Sequence, residues 1–176
     1  HPASVFTIHY ACERFNAGDG LGSPRVTAIA ARNLGTGETV CFSIHAEAEF
    51  AHLAPVQILS RLDQLEHQLL VKFFAFLTLN QAMRFVHWNM RDITYGFEAI
   101  EHRYTVLGGT PVKIPSLQRI DLARLLVEIY GTNYIEAPPL DAIARLNKLS
   151  TAGLLMGMTE ADAFTTGDYA GVQRSA

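Results

Sequence analysis

Apolar positions recur with a period near two in three early stretches of the chain and near 3.6 after that, and this change predicts the order of elements. "SVFTIHYA" (4–11), "RVTAIAARN" (25–33) and "ETVCFSIH" (38–45) are short, rich in β-branched and aromatic residues and bounded by glycine-containing breaks, so each is predicted to be a strand. The "LGTG" between the second and third has the length of a tight turn, which makes those two antiparallel neighbours. From Val56 to Asn80, Ile58, Leu59, Leu62, Leu65, Leu69, Leu70, Phe73, Phe76 and Leu77 recur at three and four, while Arg61, Asp63, Glu66 and Gln68 fill the other face. That spacing predicts one long amphipathic helix. "MRFVHW" gives a fourth strand, and "TYGFEAIEHRYTVLGG" a helix with Phe97, Ile100, Tyr104 and Leu107 on one stripe, ended by Gly108 and Gly109. "RIDLARLLVEIYG" reads as a short strand, Asp121 as N-cap, an apolar helix and a stop at Gly131. "PPLDAIARLNKL", "TEADAF" and "GDYAGVQRSA" predict three more short helices. The order β, β-hairpin, α, β, α, β, α, α, α predicts an α/β fold, with a mixed sheet that contains an antiparallel hairpin and has helices against it.

Composition narrows this picture. With 176 residues, 49% of them hydrophobic, residues 1–176 are expected to form a single domain with a substantial core. The chain opens "HPAS" and stops at "GVQRSA" within a helical pattern, so it is expected to be a piece excised from a longer protein, with the remaining domains of that parent as partners. A charged fraction of 18% and a net charge of −3 give no global basic field, so any nucleic-acid contact must be a local patch. Cys12 and Cys41 lie in strand patterns and are expected to be reduced core thiols, which points to a cytoplasmic protein. The longest apolar run, "LLVKFFAFLTL", is interrupted by Lys72 and falls short of the ~20 residues that span a bilayer, so no membrane association is expected.

The chemistry rests on two acids, each just past a predicted core strand: Glu13 after "VFTIHYAC" and Asp92 in "RFVHWNMRDITYGF". Such acids either cap loops or hold a metal. Beside Arg14, Glu13 also reads as a solvated loop acid, and Asp92 and Asp168 each read as the N-cap of the helix that follows. His87 and Trp88 end a core strand, where a hydrogen-bonded structural histidine is the ordinary arrangement; with Asn89 they are also the candidate substrate contacts, Trp88 offering a face on which a base can stack. Nothing in the sequence lowers the pKa of Cys12, so it is read as a packed thiol and not a nucleophile. His9 and His45 lack ligand spacing and are read as packing residues.

Four stretches carry a family resemblance. "FTIHYACE" resembles an Asp-x-Glu motif that ends a first strand; "VHWNMRDITYGF" resembles a second motif, an Asn followed by Asp and an apolar helix; "RIDLARLL" and "LDAIARLNKL" resemble the stretches that come after it. In this order they are similar to the DEDD 3′–5′ exonucleases, whose fold is ribonuclease-H-like. The resemblance implies an RNase-H-like mixed sheet, nucleic-acid processing or binding, Mg²⁺ or Mn²⁺ as cofactor and weakly held single-stranded DNA or RNA as partner. It makes Glu13 and Asp92 the catalytic acids and Glu13, Asp92 and Asp168 the metal ligands, because two-ion phosphodiester hydrolysis needs several carboxylates around ions about 4 Å apart. The match departs in three places. Ala11 stands where the first aspartate is expected, Asn89 and Asp92 are one residue closer than is common in the family, and Asp168 directly precedes Tyr169 instead of following a tyrosine by several residues. The expectation is therefore an exonuclease-like domain with impaired catalysis, the alternative being a pseudo-exonuclease that serves as a protein-interaction or assembly module.

Overall fold

The computed structural model describes residues 1–13, 24–91, 94–155 and 157–176. Its strands are β1 (Val5–Cys12), β2 (Val26–Asn33), β3 (Thr39–Ser43), β4 (Arg84–His87) and β5 (Arg119–Asp121). Its helices are α1 (Ile44–Phe50), α2 (Pro55–Ile58), α3 (Leu62–Leu79), α4 (Phe97–Val106), α5 (Leu122–Tyr130), α6 (Pro139–Leu146), α7 (Met158–Thr165) and α8 (Tyr169–Ser175). The five strands form one open mixed sheet in the order β3-β2-β1-β4-β5. The β2–β3 hairpin is antiparallel, β2 is antiparallel to β1, and β4 and β5 join β1 in parallel.

Cross-strand partners share a face of the sheet, and the two faces differ in bulk. On one, Phe6 lies beside Phe85, and Tyr10 beside Ile29, which lies beside Phe42. This large-residue face receives α3: Phe6 meets Phe76 edge-on at 5.1 Å between ring centroids, and Phe42 meets Phe73 at 5.8 Å. On the other, Ala11, Ala28 and Ser43 are level with one another, as are Ala30 and Cys41. Small side chains let helices come close there. α7 packs on β1 and α8 on β2, and Ser43 Oγ donates to Gln173 Oε1 at 2.5 Å.

Two expectations about elements are corrected. The third strand ends at Ser43, and Ile44 and His45 open α1, because Ser43 Oγ accepts the Ala46 N–H at 2.9 Å and caps a helix. The single helix expected over 56–80 is divided: α2 passes into a 3₁₀ turn at Leu59–Arg61, and regular α-helix resumes at Leu62. Other signals hold. Asp121 Oδ1 caps α5 by accepting from the Ala123 and Arg124 N–H groups, and Gly131 at φ 87° ends that helix in the left-handed region that favours glycine. No described helix is long and apolar enough to cross a membrane.

Candidate functional site

Because β1, β4 and β5 are parallel, their C-terminal ends point the same way and carry most of the candidate residues. At the end of β1 a bulge sets the geometry: Ala11 pairs with Ala28 but Cys12 pairs with Val26, leaving Thr27 as an extra residue on β2. The displaced strand ends meet where the Glu13 N–H donates to the Arg25 carbonyl at 2.9 Å. Arg25 Nη1 then donates to Glu13 Oε1, and its Nη2 to Asp63 Oδ1, both at 2.5 Å.

Beneath that pair sits Glu66, which α3 buries completely. Its Oε1 accepts from the Val26 N–H and from Arg103 Nε, each at 2.8 Å, and its Oε2 accepts from Arg103 Nη2 at 2.7 Å. Burial pushes the Glu66 carboxyl above its ordinary pKa, opposed by the hydrogen bonds from Arg103 and the Val26 N–H and by the charge of Arg25. The same hydrogen bond to Glu66 raises Arg103. The expectation that Glu66 lies on the solvent face of its helix is thus corrected: two guanidinium groups and a strand N–H satisfy its carboxylate inside the fold.

The ends of β4 and β5 are built around Asp121 and His87. The Asn89 N–H donates to Asp121 Oδ1 at 3.3 Å, and Arg91 Nε lies 3.3 Å from Oδ2. His87 is buried, its Nδ1 accepts the Met90 N–H at 3.2 Å, its ring meets Phe97 edge-on, and burial lowers its pKa. A neutral histidine held by its own turn matches the structural reading of this residue. Trp88 is half-buried, and Asn89 is exposed in the left-handed region at φ 57°, its Oδ1 accepting from Arg91. The chain then returns along β1. Tyr95 stacks on Tyr10 at 4.7 Å, and the Gly96 N–H donates to Tyr10 Oη at 3.0 Å. Glycine is required at 96 because a Cβ there would come within 2.8 Å of the Met90 backbone.

The structure therefore brings Asn89, Arg91 and Asp121 together but does not join Glu13 to His87. Thr7 pairs with Val86, which sets Ile8 level with His87; Glu13 lies five residues further on, about 16 Å along an extended strand. Asp92 lies outside the described residues. Asp168 is exposed, and its Oδ1 accepts the Gly171 N–H at 2.8 Å as the N-cap of α8. Ala11, at the motif position where a carboxylate is expected, is 1% exposed and belongs to the core. Among the described residues no group of three or more His, Cys, Asp and Glu is arranged to hold a metal ion. The described acids do not fit the two-ion arrangement, since Glu13 is engaged by Arg25 and Asp168 by a helix terminus.

One further carboxyl stands near the end of β1. Glu160 on α7 is 6% exposed; burial raises its pKa against a hydrogen bond with Ser175, and Oε1 has no hydrogen-bond partner among the described residues. It acts on its neighbours: burial first, and then the charges of Glu160 and Glu13, push the Cys12 thiol up to about 12. Cys12 and Cys41 are both free thiols, and a thiol so raised is no nucleophile at neutral pH. Sequence reasoning missed Arg25, Arg103 and Glu160 as site residues. For Glu66 a signal existed, because 62, 66, 69, 73 and 77 are spaced at three and four and place it inside the apolar stripe. Comparison with family models, curated proteins and solved structures finds no match for this chain.

Proposed function

We propose that this chain is a ribonuclease-H-like, exonuclease-related domain that holds single-stranded nucleic acid weakly and hydrolyses it poorly or not at all. The mixed sheet, with its antiparallel hairpin and parallel additions, supports the fold part of this reading. The observation that carries the impaired part is the end of β1, where Ala11 is packed in the core and the carboxylate two residues on, Glu13, is paired with Arg25. Weak binding follows from the cations. The net charge is −3, and seven of the 14 Lys and Arg (Arg25, Lys72, Arg91, Arg103, Arg119, Arg124 and Arg145) each pair with a carboxylate, so no concentrated positive field is offered to phosphates.

The test combines binding and cleavage. Fluorescence anisotropy with a labelled single strand is expected to show weak binding that fades between about 50 and 200 mM salt. The same strand should survive incubation with Mg²⁺ or Mn²⁺. Metal-dependent degradation that chelator and Glu13→Gln both abolish overturns the reading, and the variant separates this chain's activity from a contaminant's.

A second reading, a protein-interaction or assembly module that has kept the fold, is favoured by one feature. α5 exposes an apolar stripe that the rest of the described chain does not cover.

A further inference from the structure

α5 carries Leu122, Leu125, Leu126, Val127, Ile129 and Tyr130, yet among its nine residues only Ala123 is buried. Leu122, Leu125 and Ile129 follow one another at three and four and so form a continuous stripe on one side of the helix. Leu125 is 40% exposed and Ile129 59%. Beside this stripe lie Arg124 and Glu128, both exposed, with Arg124 Nε donating to Glu128 Oε1 at 2.8 Å. The helix thus offers apolar surface edged by one charge of each sign.

We propose that two copies of this chain associate through α5, packed antiparallel about a two-fold axis level with Leu126; the inference rests on the assembly reading and makes no use of the nucleic-acid one. The sequence is self-complementary about that axis. Arg124 and Glu128 stand two residues either side of Leu126, so an antiparallel copy sets each arginine level with the other copy's glutamate. The apolar residues interleave in the same register: Leu122 comes within one residue rise, about 1.5 Å, of the height of the second copy's Ile129, and the two Leu125 side chains flank the axis. A parallel pair would set like charges side by side. A nucleic acid does not fit, because the two charges balance and the stripe beside them is apolar. A short helix exposes only roughly a few hundred Å² of apolar surface, less than the ~800 Å² that each partner buries in a standard interface, so the dimer is weak and reversible.

Sedimentation velocity over about a hundredfold range of concentration, reaching the millimolar level, is expected to show a monomer–dimer equilibrium. Ile129→Glu should weaken it by about tenfold or more while leaving the circular dichroism spectrum and melting temperature near those of the parent, since the side chain is exposed. Arg124→Glu and Glu128→Arg should each abolish self-association, because each faces like charges across the axis. Mixed in equal amounts, these two variants should form a heterodimer. A chain that stays monomeric throughout, a dimer indifferent to Ile129→Glu, or a mixture that fails to pair overturns the proposal. Single-strand binding measured on the same samples keeps the readings apart: a monomer that binds leaves the nucleic-acid reading intact, and a dimer that breaks as stated stands whether or not strands bind.

Discussion

Glu66 and Glu160 are both buried carboxyls close to the end of β1, and they are buried in opposite ways. Glu66 is surrounded by donors: Arg103 through two nitrogens, the Val26 N–H, and Arg25 with Nε 3.5 Å from Oε2. Glu160 has a hydrogen bond with Ser175 and an Oε1 without a partner among the described residues. Burial raises both pKa values, but only for Glu66 do positive charges pull back. Burial alone therefore does not say whether a carboxylate supports the fold. A carboxylate with counter-charges ties α3, α4 and β2 together, whereas one without them is a cost that the surrounding packing must offset.

The largest effect is expected from extending the comparison to a third acid, one with no partner at all. Ala11→Asp places a carboxylate in the core, and urea denaturation should show a loss of about 4 kcal/mol or more, unrelieved by Mg²⁺ or Mn²⁺. Recovery of stability on adding metal would show instead that position 11 faces a shared acidic site. Next in size, Glu66→Gln removes the charge opposite Arg103 and Arg25 and should cost about 3–5 kcal/mol by the same measurement. A near-neutral Glu66→Gln would mean that the two arginines find other acids, and the contrast with Glu160 would collapse.

For Glu160 no positive charge opposes the burial. Its folded-state pKa is raised, so the group's favourable contribution is fully present below the ordinary carboxylate pKa and is lost as pH rises through the folded value. The parent should therefore lose stability relative to Glu160→Gln as pH rises above the ordinary carboxylate range, with the variant favoured most at the upper end of a scan from about pH 4 to about pH 8. Melting curves of both proteins across that range check it, and a constant difference at every pH would mean that Glu160 does not titrate there. The smallest effect belongs to Asp63, which is 69% exposed although Arg25 and Arg103 hold it. Its pKa is lowered, chiefly by the hydrogen bond from Arg25, so its contribution is present above the ordinary carboxylate pKa and lost as pH falls. Asp63→Asn should cost less than about 1 kcal/mol, and less still in high salt, because water and ions screen an exposed pair.

Local signals were legible where the physics is local. The β2–β3 turn, the Asp121 cap and the Gly131 stop each depend on residues within a few positions of one another. So does the cap on α8, where Asp168 takes the role that the plain reading of its position gives it. Glu66 was half legible: its spacing set it in the apolar stripe of α3, but no local rule says what would satisfy a charge there. Arg103 lies 37 residues from Glu66, and the Val26 N–H 40 residues from it, so only the assembled fold supplies its partners.

By itself, then, the sequence determined the order of strands and helices, the caps and turns between them, and the mixed character of the sheet, because backbone geometry and hydrophobic period act over a few residues. Tertiary structure alone decided which of the acids near the end of β1 meet a counter-charge. It turned Glu13 toward Arg25, buried Glu66 between two arginines, left Glu160 Oε1 without a partner among the described residues and packed Ala11 beneath a layer of helices. The reason is that the free energy of a charged group depends on what lies within a few ångströms of it, and those neighbours come from distant parts of the chain.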